Sequence, residues 1–352
     1  MNKEQLEKEV KGYGDIPIIR EIDLSDGQYQ GADLQGGIFQ EVCFNHSNFQ
    51  GARLQECQFI DCTLDSTVFD DADLTAANFI NLKASSSSFK KTNLSDTNFA
   101  EGEMEQADFS CAVMNNTNYT QIDLKQARFR QVQAQNANFV NCQFQEADFR
   151  ESSFYRANFI EPEFEDTVFE KAAFDKAFFT RPALCGYDFT RTKLIQCQFH
   201  EADISQSRFA GLDLTQSGFV GAKATATDFS DTIADKALFI NANLKGSTFR
   251  HASLEQALFN EADISFCDFS KACMVQAQLT SSNCEGALFP GTDLTYADFS
   301  HAILLDADLS NTSLYRTNLH EIVDSGTIWN GSSRDLALET DKKKSKAETF
   351  QP

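Results

Sequence analysis

The chain has 352 residues, of which 33 are Phe, against one Trp, 5 Pro and 17 Gly. Its net charge of −22 argues against nucleic acid or an anionic membrane as a partner. No apolar run approaches the 18 residues of a membrane-spanning helix, and ten Cys without a secretory leader read as reduced thiols of a cytoplasmic protein.

The first element in chain order is a short helix over Glu4–Lys11, with Leu6 and Val10 on one side. Residues 1–21 are read as a cap and lead-in that covers an open β edge.

From residue 22 to residue 321 the chain repeats every five residues. With the central position i set at Leu24, the register runs without a slip to Leu319 and gives 60 repeats. Thirty of the 60 centres are Phe and 18 are Leu, and none is charged. A fixed self-similar period marks a solenoid, in which each repeat buries its apolar side against its neighbours. Position i−2 is mostly small, as at Ala32, Ala52, Ala72 and Ala107. A larger residue there meets a reduced centre at Leu82–Ala84 and Val132–Ala134, while Gly102 precedes Met104. Such volume compensation is what close packing demands. Position i−1 is Asp or Asn in 25 repeats, and these side chains bond the local backbone at tight corners.

The runs Ala32-Asp33-Leu34, Ala72-Asp73-Leu74, Ala137-Asn138-Phe139 and Ala307-Asp308-Leu309 resemble the pentapeptide-repeat family over about 300 residues. That resemblance implies an all-β, right-handed quadrilateral β-helix with four repeats per coil and the i and i−2 side chains inside. Sixty repeats then make about 15 coils and, at roughly 4.8 Å per ladder step, a rod about 70 Å long. Phe recurs every ten residues from Phe39 to Phe109, which puts it on two opposite faces. Every centre from Phe139 to Phe179 is Phe, a block expected to be the tightest part of the core, with Pro162 and Pro182 stacked beside it. Residues 322–352 are expected to fold Ile322, Val323, Ile328 and Trp329 over the last coil and then to run into a disordered basic tail.

No P-loop, GxGxxG, HExxH or GxSxG motif occurs, and the five His have no ligand-like spacing to Cys or acids. No catalytic residue, cofactor or metal is therefore expected. Cys57, Cys62, Cys142, Cys197 and Cys267 fall at i−2 and Cys284 at i, as core fillers.

Assigning outward residues to faces by position modulo 20 finds two features. Over residues 22–221, the face beginning at residue 22 carries 11 acids and two bases. Asp65, Glu103, Glu105, Glu163, Glu165 and Asp166 lie on it, and Asp61, Glu101 and Glu161 lie on the adjoining corner. The fourth face carries an apolar i+1 column, with Ile60, Ile80, Val140, Ile160, Val220 and Ile240, and an i−1 column with Phe178, Leu238 and Leu258. Six apolar residues in one outward column mark a docking surface for another protein or a second copy.

The apolar stripe, the acidic edge and the absence of a catalytic motif point to a non-enzymatic scaffold or adaptor. Long family members with a short N-terminal helix resemble accessory proteins of type VI secretion clusters, and that layout is found here. The alternative is a DNA mimic, because some family members resemble duplex DNA and bind or protect DNA gyrase. Residues 22–321 carry 42 acids and 21 bases, a net −21, whereas duplex of the same length would carry about 40 phosphates.

Overall fold

The structure, a computed structural model, describes residues 1–12 and 18–348 and divides into two compact units. The first is Met1–Pro182 with Arg191–Lys193, and the second is Ala183–Thr190 with Leu194–Pro352. The division falls at Pro182, beside the all-Phe block.

In both units the backbone pairs with itself in parallel at a spacing of twenty residues, so four pentapeptides make one coil. In the first unit nine rungs stack from Ile18–Arg20, through Ile38–Gln40 and Gln58–Ile60, to Phe178–Thr180. In the second, eight rungs of the same phase run from Gln198 through Gly218, Leu238 and Leu258 to Leu338. The expected 15 coils counted only the repeat register. Ile18–Arg20 and Leu338 pair as rungs before and after it.

Five-residue periodicity becomes a square coil because position i+2 turns a corner. Its φ is positive at every such corner from Asp26 to Glu321 except Arg191, 54° at Asp61, 60° at Gln106 and 49° at Glu161, a left-handed region that costs a non-glycine residue about 1–2 kcal/mol. An inter-coil bond offsets part of that cost: the Gln106 amide donates to the Lys125 carbonyl at 2.8 Å. The Asp at i−1 closes the same turn by accepting from the i+1 amide, as at Asp73–Thr75, Asp108–Ser110, Asp148–Arg150 and Asp298–Ser300.

Inside, the period-ten Phe residues form two face-to-face columns. Phe59, Phe79, Phe99 and Tyr119 stack at 4.7 Å per step, and Phe69, Phe89, Phe109 and Phe129 at 4.9–5.1 Å. The columns touch edge to face, at 6.4 Å between Phe69 and Phe79. The all-Phe block is fully buried from Phe139 to Phe159 but less so toward its C-terminal end. Phe169 is 6% exposed, whereas Phe59, Phe79 and Phe99 are fully buried. With four large rings per coil, tilted contacts replace part of the stacking there, at 33° between Phe149 and Phe169. Small i−2 residues fill the corners, and their hydroxyls reach carbonyls of the previous coil: Thr67 donates to Phe44 at 2.8 Å and Thr92 to Phe69 at 2.8 Å.

The N-terminal helix spans Lys3–Val10, one residue earlier than expected, and buries Leu6 and Val10. Asn2 and Gln5 form a capping box at its start. The helix satisfies edge groups of the first coil: Glu7 accepts from the Asp33 amide at 2.9 Å, and Lys3 donates to the Gln30 carbonyl at 2.8 Å.

The C-terminal end differs from expectation twice. The coil continues beyond Glu321, with Val323 bridging Ile303 and Ile328 bridging Asp308, and both side chains remain exposed rather than folding over an end. The basic tail, expected to be disordered, forms a helix over Lys342–Glu348. Asp341 nucleates it by accepting from the Lys343 and Lys344 amides.

Candidate interaction face

The apolar column expected on the fourth face is a real rung-by-rung alignment in the first unit. Ile60 pairs with Ile80, Ile80 with Ala100, Ala100 with Thr120, Thr120 with Val140, and Val140 with Ile160. Ala100 and Thr120 split it into two apolar pairs. Ile80 is 41% exposed and Ile160 37%, with Ile60 and Val140 half-buried between their neighbours. Beside this column stands a ladder of amides, Asn78, Asn98, Asn118, Asn138 and Asn158, which ends at the exposed ring of Phe178. Asn138 donates to Asn118 at 2.9 Å and Asn158 to Asn138 at 2.6 Å, so these side chains are held flat along the sheet. In the second unit, Leu238 and Leu258 bridge directly, and Val220 and Ile240 occupy the i+1 column, all four half-buried.

The acidic residues are arranged as rows rather than one cluster. Glu101, Glu103 and Glu105 lie exposed on one coil, and Glu161, Glu163, Glu165 and Asp166 lie exposed three coils later. Asp61 and Asp65 are two coils before the first row. Cations and amides stand between the rows and on the coils beside them. Lys83 is in register with Glu103, and Lys125 meets Asp123 at 2.9 Å. The Lys125 ammonium is held protonated to higher pH, first by Asp123 and then by Glu105 and Glu163. Arg181 takes Glu161 at 2.5 Å, Asn81 donates to Asp61 at 2.7 Å, and Gln145 donates to Glu163 at 2.6 Å.

The second face carries a polar girdle that sequence periodicity did not single out. Asp148, 15% exposed at its side chain, lies between Arg150 at 2.7 Å and Arg130 at 2.5 Å. Burial works against its charge, but the hydrogen bonds of Arg150 and Arg130 hold its carboxyl down at about 2.

The six cysteines placed in the core are buried. Burial pushes the thiols of Cys57, Cys142 and Cys284 up to about 12 and that of Cys62 up to about 11. One expectation is corrected. Linear spacing kept the histidines away from other ligands, but the coil and the tail helix bring His301, His320 and Glu348 within 4.8 Å of one another. A spacing of 19 residues is a neighbouring position in a twenty-residue coil, and that signal was available in the sequence. Among the described residues, no helix is long and apolar enough to cross a membrane.

Models described as "Pentapeptide repeat region" match residues 22–99, 52–114 and 103–179. Models described as "Pentapeptide repeats (8 copies)" match residues 186–219, 237–274, 272–311 and 293–322. No curated protein matches the chain. Solved structures similar to it include HetL, a pentapeptide repeat protein involved in heterocyst differentiation regulation in the cyanobacterium Nostoc, at 19% identity over 67% of this chain and 91% of HetL, with a TM-score of 0.30. A trypsin-treated QnrB1, a plasmid-mediated fluoroquinolone resistance protein, is similar at 17% identity over 66% of this chain and 93% of its own, with a TM-score of 0.31. A pentapeptide repeat protein of the Arabidopsis thaliana thylakoid lumen is 36% identical over 26% of this chain and 68% of its own, with a TM-score of 0.23.

Proposed function

Starting from a chain that belongs to the pentapeptide-repeat family, we propose that this protein is a non-enzymatic, cytoplasmic scaffold that binds another protein through the fourth face of its first unit. The observation that carries this reading is the pairing of exposed Ile80 and Ile160 with a flat, self-bonded Asn ladder. Apolar side chains standing outward on a rigid sheet lose little conformational entropy on docking, because the backbone and the ladder beside them are already ordered. The acidic rows flank this column and would set orientation and association rate. Support also comes from the second unit. There the i+1 column ends at His320, which is 2% exposed and bonded to the chain's own tail through Glu348 and Asp341. A helix can therefore seat on this kind of column.

Pull-down from the native host tests the reading. Ile80→Asp with Ile160→Asp is expected to abolish capture of the partner while leaving the thermal midpoint unchanged, since both side chains are exposed. Undiminished capture by the double variant overturns it. The DNA-mimic alternative is less well supported, because Lys125 stands between the acidic rows and Lys83 and Arg181 border them. A gyrase supercoiling assay separates the two readings: inhibition at micromolar protein would favour the mimic.

A further inference from the structure

We propose that His301, His320 and Glu348 bind one divalent transition-metal ion of the Zn²⁺ class, which pins the C-terminal helix to the last coils. His301 follows Phe299 at the corner of one coil, and His320 follows Leu319 on the next. Glu348 arrives from the tail helix, 28 residues beyond His320. Its Oε2 lies 3.0 Å from His320 Nε2 and 3.5 Å from His301 Nε2. All three ligand atoms fall within 4.8 Å of one another. In a tetrahedral zinc site with bonds near 2.1 Å, ligand atoms stand roughly 3.4 Å apart, so the set needs only a small adjustment. Two imidazoles and one carboxylate are a ligand set that Zn²⁺ accepts, with the remaining position open to water.

The surroundings suit an ion. Lys344 holds the other carboxylate oxygen, Oε1, at 3.6 Å and leaves Oε2 aimed between the rings. A groove of about 600 Å³, lined by Asn318, Leu338, Glu339, Asp341 and Lys344, opens beside His320 and gives the ion a path. One contact must change on loading. The Asp341 amide donates to His320 Nδ1 at 3.2 Å, which fits the neutral ring with its proton on Nε2. Coordination through Nε2 releases that proton to solvent, and Nδ1 takes up another. The Asp341 amide must then turn away, and the adjacent Asp341 carboxylate is the natural acceptor for Nδ1–H. A carboxylate behind a metal-bound imidazole is the usual orienting partner.

The site has a physical purpose in the fold. The last coil presents unpaired backbone groups, and a solenoid end needs a cover. The tail helix has seven residues, four of them Lys, and buries none of its side chains. Such a segment gains little from burial, and a metal bond supplies what the apolar contacts do not.

Calorimetric titration of the full chain with Zn²⁺, in a Cys111→Ser, Cys185→Ser background, tests this. We expect one Zn²⁺ per chain, affinity weakened at least tenfold by His301→Ala and by Glu348→Gln, and no change from His251→Ala. Both ligand substitutions are at exposed positions, so folding is retained. Zn²⁺ should also slow tryptic cleavage at Lys342–Lys346 at least tenfold, and Glu348→Gln should remove that protection. Absence of Zn²⁺ binding, or binding that both ligand variants leave intact, overturns the proposal and leaves the cluster as a hydrogen-bonded clamp.

Discussion

Gly102 pairs in register with Leu82, and a Cβ on Gly102 would lie 2.5 Å from the Leu82 carbonyl oxygen and 3.0 Å from its side chain. On its other side Gly102 pairs with Ile122. The i−2 column thus runs Leu, Gly, Ile, with the glycine making room for two branched neighbours. Its φ of 155° is also one that side chains rarely adopt.

Gly102→Ala is therefore expected to destabilise the first unit by about 1–3 kcal/mol, the usual range for overpacking a close-packed interior. Thermal unfolding checks it. Leu82→Ala should cost less in the Gly102→Ala chain than in the wild type, because it relieves the side-chain part of the contact. Independent, additive effects of the two substitutions would refute the packing account.

That glycine shows what was legible in the sequence. Period-five patterning placed every central residue and set Leu82 against Ala84 and Gly102 against Met104 as compensating volumes, because a solenoid repeats one local rule, whereas the pairing of Gly102 with Leu82 emerges only once the rungs are in register. The pattern could not show where the coil stops. Asp324 breaks the apolar rule at the central position and Trp329 is not fully buried there, yet the backbone still bridges the previous coil, since ladder hydrogen bonds are indifferent to side chains. Arg334 completes the substitute packing, stacked 4.2 Å over Trp329 and 3.0 Å from Asp324. The His301–His320–Glu348 cluster escaped for a related reason. Ligand motifs are read at short linear spacing, whereas the coil makes neighbours of residues 18 to 23 apart. On the fourth face, the column was legible but its division by Ala100 and Thr120 only became meaningful once the rungs were aligned.

Asp148 offers a pH prediction. Its folded carboxyl is depressed to about 2 from an ordinary value of 3.8, so its contribution is fully present above about pH 4 and is lost as pH falls toward 2. Asp148→Asn removes the charge that Arg150 and Arg130 share and keeps the shape. It should cost about 1–2 kcal/mol at pH 7, consistent with hydrogen bonds to charged groups on a partly exposed surface. Urea unfolding at several pH values is the measurement. The gap between wild type and variant should narrow from pH 5 to pH 3, and a constant gap would show that the pairing is not its source.

Phe79 is sandwiched between Phe59 and Phe99, 4.7 Å from each, and is fully buried. Phe79→Ala removes a ring from an unbroken stack and should cost about 3–5 kcal/mol. Phe169→Ala should cost less, because Phe169, at 6% exposure, is less completely buried and is tilted against Phe149. Since a solenoid is stabilised between nearest neighbours, hydrogen exchange should show the loss of protection confined to the rungs near residue 79. Equal losses at the two positions would mean that the all-Phe block around Phe169 is packed as tightly as the two-column segment around Phe79.

The cysteines give a direct reading of the inside–outside rule. Cys111 and Cys185 are exposed, Cys43 and Cys273 are half-exposed, and Cys57, Cys62, Cys142, Cys197, Cys267 and Cys284 are buried. The thiolate is the reactive form, and burial has moved the core thiols of Cys57, Cys142 and Cys284 to about 12, with Cys267 pushed higher still. Fewer than about one in ten thousand of those thiols is ionised at pH 7.5, by the pKa difference alone. A disulfide reagent at that pH should therefore modify two sites rapidly and two more slowly, and reach the remaining six only on unfolding. Mass mapping would identify Cys111 and Cys185 as the fast pair. Rapid labelling at any i−2 cysteine would place that side chain outside the coil and contradict the register from which the whole fold was read.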